Sequence, residues 1–393
     1  MATITVQGSS SLPVTISFTS AENLALAQQI AGAISAEVAH GAATVAYSGN
    51  GSPPTLRHNQ TGVFFQDTNG VTDLPSGYDA LVDSAARATI SGSGDNGESI
   101  LAGDGNLTFL AARGSGTVVA GGGKDDIQLA SGDNGSWLIA TGGGNDTIRS
   151  GTGDNLITAG SGNDLLQLTG QDTVTASSGH DTIDATGAKS TVIYGNSSDI
   201  LFLGGAGSAT LLGGGGSDTV YGGSGRMVGH GGTAGRNLLL AGTGPATLFG
   251  GGSGDRLYAQ GGQAQILVAG DGDETLSAAQ SSGNVSLIGG SGNDQLIGGS
   301  GRDTFIGGSG QATMGGGFGG DAFAFIKGSA GGRDLIANFT DTDKVLLSGY
   351  GPNAVARALA TQSVSHGSVT ITLSDNTKIT FEGLTSLKSS NFG

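Results

Sequence analysis

The sequence predicts an all-β protein, a parallel β-solenoid closed by a small α+β cap at its N-terminal end and a helix-plus-hairpin cap at its C-terminal end. Glycine makes up 78 of the 393 residues, about a fifth, against about 7% in an average protein. Glycine-rich turns recur with a period of about nine residues, and a short apolar segment follows each turn. A fixed short period of this kind is typical of solenoids, in which neighbouring repeats stack to bury a continuous core.

The repeats occupy residues 87–327. Glycine permits the left-handed backbone that a sharp turn needs, and the segment after each turn reads as a short strand whose branched residue points inward. Two repeats would form one coil, so residues about 18 apart should stack. The clearest repeats begin at Gly213, Gly289, Gly298 and Gly316, and others at Ala120, Thr141, Ala159 and Ala176. Successive inward positions are Ile148, Ile157, Leu166, Val174 and Ile183.

The two flanking zones lack this period. Residues 1–86 predict two short strands, Thr3 to Val6 and Val14 to Phe18, and then a helix with a possible capping box at Thr19 and Glu22. One face of that helix is apolar, at Leu24, Ala27, Ala31, Ile34 and Val38. Residues 328–393 predict a helix from Pro352 to Ala360 and a β-hairpin from Val369 to Phe381.

An aspartate follows the last glycine of many turns, and this spacing predicts calcium sites. Calcium takes six to eight oxygen ligands and accepts backbone carbonyls as well as carboxylates. A glycine turn exposes carbonyl groups, and two stacked turns could together complete the shell. The predicted metal-binding residues are Asp125, Asp146, Asp164, Asp181, Asp218, Asp294, Asp303 and Asp321, with the turn glycines Gly144, Gly162, Gly301 and Gly319.

The number of residues between successive aspartates predicts which of them should stack into complete calcium sites. The pairs at 146 and 164, at 164 and 181, and at 303 and 321 are 17 or 18 residues apart and should stack. Asp294 faces Ala312 one coil later, so half of its site would be missing, and Asp125 has no evident partner. For each aspartate the alternative is a turn cap, in which the carboxylate accepts hydrogen bonds from backbone amides.

Other repeats keep the turn but depart from the pattern. Asp199 and Asp218 are 19 apart, and Asp199 follows a poorer turn. Asn155, Asp172 and Glu274 would fill the acidic position in degraded repeats. The repeats starting at Gly204, Ala241 and Gly307 carry alanine in place of the aspartate, and the dipeptide Asp255-Arg256 would place a base there. We therefore expect the stack between about residues 222 and 290 to bind no metal.

Composition excludes several classes of protein. The formal charge of −16 argues against nucleic acid and anionic membranes as partners, and the absence of cysteine excludes disulfides and thiolate sites. No apolar run reaches the length of a membrane span, and the N-terminus lacks the features of a cleaved signal. Neither H-E-x-x-H nor G-x-S-x-G occurs, so we expect no enzyme. A polysaccharide lyase or epimerase, and an adhesin or carbohydrate-binding module, remain the alternatives.

The repeats resemble those of the repeats-in-toxin (RTX, hemolysin-type calcium-binding) family across about residues 90–340. The segments Asp321-AFAFIKG, Gly332-RDLIANF and Asp343-KVLL are similar to the segments found after the repeats in that family. The resemblance implies calcium as cofactor and export of the unfolded bacterial chain by a type I apparatus, which would read an uncleaved signal within Leu384 to Gly393. Together these features predict a secreted structural protein of a biofilm matrix, surface layer or filament, one that self-associates and has extracellular polysaccharide as a further candidate partner.

Overall fold

The computed structural model of the protein describes residues 2–8, 13–19, 21, 23–49, 52–58 and 60–393. These residues form two compact units, one ending at Leu201 and the other beginning at Phe202. Each unit is a parallel β-solenoid, so the predicted fold class is confirmed. Glu22, half of the predicted capping box, lies outside the described residues.

The described residues of unit 1 form one helix and seventeen strands. They are β1 (Ala2–Gln7), β2 (Pro13–Phe18), α1 (Leu24–Ala39), β3 (Ala43–Tyr47), β4 (Thr61–Gln66), β5 (Gly70–Asp73), β6 (Ala80–Asp83), β7 (Arg87–Ser91), β8 (Asn96–Ala102), β9 (Asn106–Ala111), β10 (Ser115–Val119), β11 (Asp126–Leu129), β12 (Trp137–Ala140), β13 (Thr147–Arg149), β14 (Asp154–Gly162), β15 (Leu165–Gln167), β16 (Gln171–Ala185) and β17 (Ser190–Gly195). Strand β18 (Asp199–Gly204) spans the boundary between the units.

Unit 2 has the same kind of strands and ends in a short helical segment. Its elements are β19 (Ser208–Leu212), β20 (Thr219–Tyr221), β21 (Met227–His230), β22 (Leu238–Leu240), β23 (Ala246–Phe249), β24 (Arg256–Gly261), β25 (Gln265–Val268), β26 (Thr275–Ser281), β27 (Val285–Ile288), β28 (Asn293–Ile297), β29 (Thr304–Ile306), β30 (Gln311–Gly315), β31 (Ala322–Ile326), β32 (Arg333–Ala337), β33 (Lys344–Ser348), α2 (Ala354–Ala360), β34 (Ser363–Ser365), β35 (Ser368–Thr372), β36 (Lys378–Phe381) and a 3₁₀ turn at Ser389–Asn391.

Parallel pairing builds two sheets in each unit, because alternate strands stack on each other. In unit 1, sheet 1 contains β3, β4, β6, β8, β10, β12, β14, the first part of β16 and β17. Sheet 2 contains β5, β7, β9, β11, β13, β15 and the second part of β16. The stacking therefore begins at β3, well before the repeats recognised in the sequence.

The core of unit 1 consists of two ladders of inward side chains, one from each sheet. The sheet 1 ladder is Phe64, Leu81, Ile100, Val118, Ile139, Ile157, Val174 and Ile193. The sheet 2 ladder is Ile90, Phe109, Ile127, Ile148, Leu166 and Ile183. The five inward positions expected from the sequence alternate between these ladders, and all are fully buried.

Helix α1 and the β1–β2 hairpin cover the outer face of sheet 1. The predicted helix face is confirmed, since Ala27, Ala31 and Ile34 are buried and pack with apolar residues of the hairpin and of the sheet. The outward residues beneath them are Val63, Phe65, Val82, Leu101, Val119 and Ala140. These elements thus lie along the flank of several coils, and Asn23 fixes them by donating its side-chain amide to the Thr141 carbonyl at 2.7 Å.

In unit 2, sheet 3 contains β19, β21, β23, β25, β27, β29, β31 and β33. Sheet 4 contains β20, β22, β24, β26, β28, β30, β32 and β36, to which β35 and β34 add in antiparallel order. The predicted C-terminal helix and hairpin are confirmed. The last residues lie against β33. Phe392 forms a parallel β-bridge with Val345, and the Gly393 amide donates a hydrogen bond to the Val345 carbonyl at 3.1 Å.

Candidate metal centre

The glycine turns of unit 1 stack so closely that side chains are excluded. Gly144 and Gly162 have φ angles of +141° and +137°, in the region that favours glycine. A Cβ at Gly162 would lie 1.4 Å from the Gly144 carbonyl oxygen, and one at Gly144 would lie 1.5 Å from that of Gly123. Backbone oxygens therefore face along the stack, toward the glycine of the next turn.

Four aspartates form a ladder beside these turns. Asp125 accepts the Leu107 amide through Oδ1 at 2.8 Å, and Asp146 accepts the Asp125 amide in the same way at 2.8 Å. Asp164 then bonds to the Asp146 amide at 2.8 Å, and Asp181 to the Asp164 amide at 3.0 Å. The predicted stacking of 146, 164 and 181 is present, and each carboxylate joins two coils through one oxygen.

The second oxygen of these carboxylates is available for another ligand. Oδ2 of Asp125 and Oδ2 of Asp164 are buried and have no hydrogen-bond partner. Burial raises the pKa of Asp125 to about 8 and that of Asp164 to about 7, and neighbouring carboxylates act in the same direction. At Asp146 and Asp181 burial also raises the pKa, although the hydroxyls of Thr141 and Ser198 oppose it. A cation would remove the cost of ionising these groups.

The prediction that Asp125 lacks a partner is wrong. Asp125 bonds directly to Asp146, but the interval between them is 21 residues. The intervening coil holds extra residues around Asp133, whose carboxylate accepts the Gly135 amide and the Trp137 indole N–H, each at 3.0 Å. The insertion bulges outward, so the register of the strands on either side is kept.

A second ladder lies beside sheet 3 of unit 2. Asp303 accepts the Val285 amide at 2.8 Å, Asp321 the Asp303 amide at 2.9 Å, and Asp343 the Asp321 amide at 2.8 Å. The predicted stacking of Asp303 and Asp321 is therefore present. Asp321 has a buried, unpartnered Oδ2 and a pKa raised to about 6 by burial, whereas Oδ2 of Asp303 accepts the Gly299 amide at 2.7 Å.

The first residue of each repeat influences which of these states the carboxylate adopts. Asp255, Asp294 and Asp303 belong to repeats whose first residue is glycine. In each of them Oδ2 accepts a hydrogen bond from at least one turn amide. A Cβ at Gly298 would lie 2.9 Å from Asp303 Oδ2, so a side chain there would push the carboxylate off the amides. In the four repeats of the unit 1 ladder, Ala or Thr occupies this position. Asp321 is an exception, because its repeat starts with Gly316 and its Oδ2 is still unpartnered.

A third column, beside sheet 4, shows that the expectation of a base at the Asp255-Arg256 position is wrong, whereas the absence of metal between residues 222 and 290 stays a prediction. Asp218 donates its amide to Asn237 Oδ1 at 2.7 Å, and Asn237 donates to Asp255 Oδ1 at 2.7 Å. Asp255 is fully buried whereas Arg256 is exposed, so the acid and not the base occupies this position. The sequence offers both residues in tandem, and strand alternation decides which one points inward.

The same column continues through Glu274 and Asp294. The Glu274 amide bonds to Asp294 Oδ1 at 3.1 Å, and burial together with the neighbouring acids raises the pKa of Glu274. Ala312 pairs with Asp294 as predicted, and its amide bonds to Asp334 Oδ1 at 2.9 Å. Asp199, which the sequence places after a poorer turn, lies outside this column, since it is half exposed and its Oδ2 is 2.9 Å from His180 Nδ1.

The sequence analysis missed Asp334 and Asp343, which extend the two unit 2 columns beyond the last regular repeat. Oδ2 of Asp334 is buried and unpartnered, and burial raises the pKa of this group to about 7. An apolar segment follows each of the two residues in the sequence, as it follows the repeat aspartates, and this signal could have identified them. Oδ2 of Asp343 accepts the Thr340 amide at 2.8 Å.

These donors fit calcium. They are all oxygens, and the unpartnered carboxylate oxygens lie beside turns whose carbonyls face the next coil. Among the described residues, no three acidic or histidine side chains converge on one point. Each turn thus contributes a single carboxylate, and the other ligands would be backbone oxygens or water.

A sequence profile of the RTX calcium-binding nonapeptide repeat (four copies) matches residues 138–167, 168–201, 203–226, 231–266 and 281–323. These are RTX repeats. The family assignment made from the sequence is confirmed, and RTX nonapeptide repeats bind calcium. Asp146, Asp164, Asp181, Asp218, Asp294, Asp303 and Asp321 lie within the matched residues. Asp125, Asp334 and Asp343 lie outside them but occupy the same structural position.

No curated protein matches the chain. RTX repeats are typical of secreted bacterial proteins. Within the residues that the structure describes, neither helix is long and apolar enough to cross a membrane.

Proposed function

We propose that the protein is a secreted bacterial structural protein that folds on binding calcium and then associates with copies of itself outside the cell. The observation that carries this proposal is the ladder of buried aspartates, in which Asp125 and Asp164 each keep one oxygen without a partner. Leaving a buried charge uncompensated costs several kcal/mol. Calcium bound at these oxygens would convert that cost into a gain, so folding and ion binding would be coupled.

The coupling suits export before folding. Extracellular calcium modules bind the ion with a Kd of about 10⁻⁴ to 10⁻³ M, so the chain would stay unfolded in a cytoplasm poor in calcium. The proposed C-terminal export signal lies within Leu384 to Gly393. The side chains of Leu387 and Phe392 are buried in the folded unit, and Lys344 donates its ammonium to the Ser390 carbonyl at 2.7 Å. A secretion apparatus could therefore read this segment only while the chain is unfolded.

Calcium-dependent folding is tested by circular dichroism of the purified chain. We expect little sheet signal at neutral pH after chelation and recovery of the signal at millimolar calcium, with magnesium much less effective because it favours a small octahedral shell. A melting temperature unchanged by chelation would overturn the proposal.

A comparison of two alanine variants tests which carboxylates bind calcium. Asp164→Ala removes an unpartnered carboxylate oxygen, whereas Asp303→Ala removes a carboxylate whose two oxygens already accept the Val285 and Gly299 amides. We expect calorimetric titration to show a larger loss of bound calcium for Asp164→Ala. Asp125→Ala should behave like Asp164→Ala, because both residues belong to one ladder. Equal losses for Asp164→Ala and Asp303→Ala would contradict this assignment.

Export is tested by fusing residues 328–393 to a slowly folding reporter in cells that carry a type I apparatus. We expect export of the fusion and its retention when Leu384 to Gly393 is deleted. The reporter folds by itself. A loss of export after the deletion would therefore reflect loss of the signal, and not loss of the folding contact between Phe392 and β33. Export of the truncated fusion would exclude the C-terminal signal.

A further inference from the structure

The outer face of sheet 3 in unit 2 is largely apolar and partly exposed to solvent. Its strands alternate inward and outward residues, and the outward ones form two rows. The first row is Leu212, His230, Phe249, Val268, Ile288, Ile306 and Ala324, and the second is Thr210, Val228, Thr247, Ile266, Ser286, Thr304 and Ala322. We call these fourteen residues the sheet 3 face. The rings of His230 and Phe249, on neighbouring strands, stack in parallel with centroids 4.3 Å apart and an interplanar angle of 6°.

An apolar outer face of a sheet is covered elsewhere in this chain. In unit 1, helix α1 and the hairpin bury the outward residues of sheet 1, and Val63, Val82 and Leu101 are fully buried. On the sheet 3 face, by contrast, Ile266 is 40% exposed and Leu212 38% exposed.

The charge of the chain and the lack of charge on the sheet 3 face favour a second copy of the chain as the partner. The chain carries a formal charge of −16, and its copies repel each other wherever their acids meet. None of the fourteen residues of the sheet 3 face is acidic, whereas the exposed acids Asp271 and Asp273 lie at the turn between β25 and β26. A basic partner would bind the acidic turns instead. An uncharged face in which β-branched and aromatic residues predominate suits a second copy of the same face, since two sheets pack face to face about 10 Å apart.

We propose that the sheet 3 face docks on the sheet 3 face of a second copy of this chain, forming a twofold dimer. The inference rests on the proposed self-association and gives it a lateral surface. Seven strands at about 4.8 Å spacing, with two outward residues each, present roughly 400 Å² per copy, about half of a standard interface. The dimer is therefore weak and forms reversibly at high protein concentration, and repeated contacts would strengthen it in a larger assembly.

Sedimentation velocity at millimolar calcium over increasing protein concentration tests the proposal. We expect the wild-type protein to shift toward a dimer and the double variant Val268→Lys/Ile288→Lys to remain a monomer, because lysines from both copies would be buried unpaired. The matched control is Val71→Lys, which changes a residue that is 75% exposed on unit 1 and should leave dimerisation unchanged. Circular dichroism confirms that each variant folds with calcium.

Cross-linking gives a readout that does not depend on the double variant folding. The chain has no cysteine, so Val268→Cys introduces a single thiol on β25, the middle strand of the sheet 3 face, next to the expected twofold axis. We expect oxidation to give a disulfide-linked dimer for Val268→Cys and none for Val71→Cys. If the wild type assembles but Val268→Lys/Ile288→Lys assembles equally well and Val268→Cys does not cross-link, this face is wrong while self-association stands. If the wild type stays monomeric at all concentrations, both proposals fail.

Discussion

Acid should replace calcium in stabilising the fold. The perturbation is the removal of calcium at two pH values. The key residue is Asp125, because burial raises the pKa of its carboxyl group from 3.8 to about 8. A carboxyl whose pKa is higher in the folded state binds its proton more tightly there. Its contribution to stability is fully present below about pH 4 and is lost as the pH rises to about 8.

The magnitude is large for a single side chain. One pKa unit corresponds to about 1.36 kcal/mol, so the shift at Asp125 corresponds to about 6 kcal/mol between these pH values. The whole free energy of unfolding of a typical domain is about 5 to 15 kcal/mol. Burial also raises the pKa of Asp164 to about 7, and that shift adds in the same direction. Without calcium, unit 1 should therefore be folded at pH 5 and largely unfolded at pH 8.

The assay is denaturant unfolding followed by circular dichroism, in metal-free buffers at pH 5 and pH 8. Asp125→Asn should reduce the difference between the two pH values, because the amide keeps the acceptor for the Leu107 N–H but carries no charge. Asp154→Asn is the matched control, since Asp154 is an exposed acid of the same unit. Calcium should restore at pH 8 the stability that the metal-free protein loses there. A metal-free protein equally stable at both pH values would refute the reasoning, as would equal effects of Asp125→Asn and Asp154→Asn.

Two further predictions concern packing. Gly162→Ala should destabilise unit 1 by several kcal/mol, because its Cβ would lie 1.4 Å from the Gly144 oxygen and its φ is +137°; thermal melting with calcium measures this, and Gly132→Ala, with open space around the new Cβ, should melt like the wild type. Asn23→Ala should loosen α1 by about 1 kcal/mol through loss of its bond to the Thr141 carbonyl; faster amide hydrogen exchange confined to α1 would support this, and unchanged exchange would contradict it.

Much of the fold follows from local chemistry and was therefore predictable. The glycines mark the turns because few other residues tolerate the backbone of Gly144 or Gly162. The branched residue after each turn points inward because strands alternate their faces, which places Ile148 and Leu166 in one ladder. The oxygen-rich turns likewise pointed to calcium. These features repeat, so an error in one repeat does not alter the conclusion.

The errors concern individual aspartates whose neighbours cannot be found by counting. Asp125 stacks on Asp146 across 21 residues because a bulge around Asp133 absorbs the excess. Asp255 faces inward although Arg256 follows it, because the pairing of β24 with its neighbours sets which residue is buried. In both positions the register results from hydrogen bonds between coils, which a fixed spacing does not describe.

By itself the sequence determined the repeat, the stacked glycine turns, the inward ladders and the choice of oxygen ligands, because each of these depends on residues a few positions apart. The tertiary structure decided which carboxylates keep an unpartnered oxygen and which surfaces are covered. Asp164 and Asp303 occur in the same motif, yet Oδ2 of Asp303 accepts the Gly299 amide whereas Oδ2 of Asp164 has no partner. Helix α1 covers sheet 1 because its apolar face finds complementary side chains from several coils. Such outcomes depend on contacts between distant segments, which only the folded chain brings together.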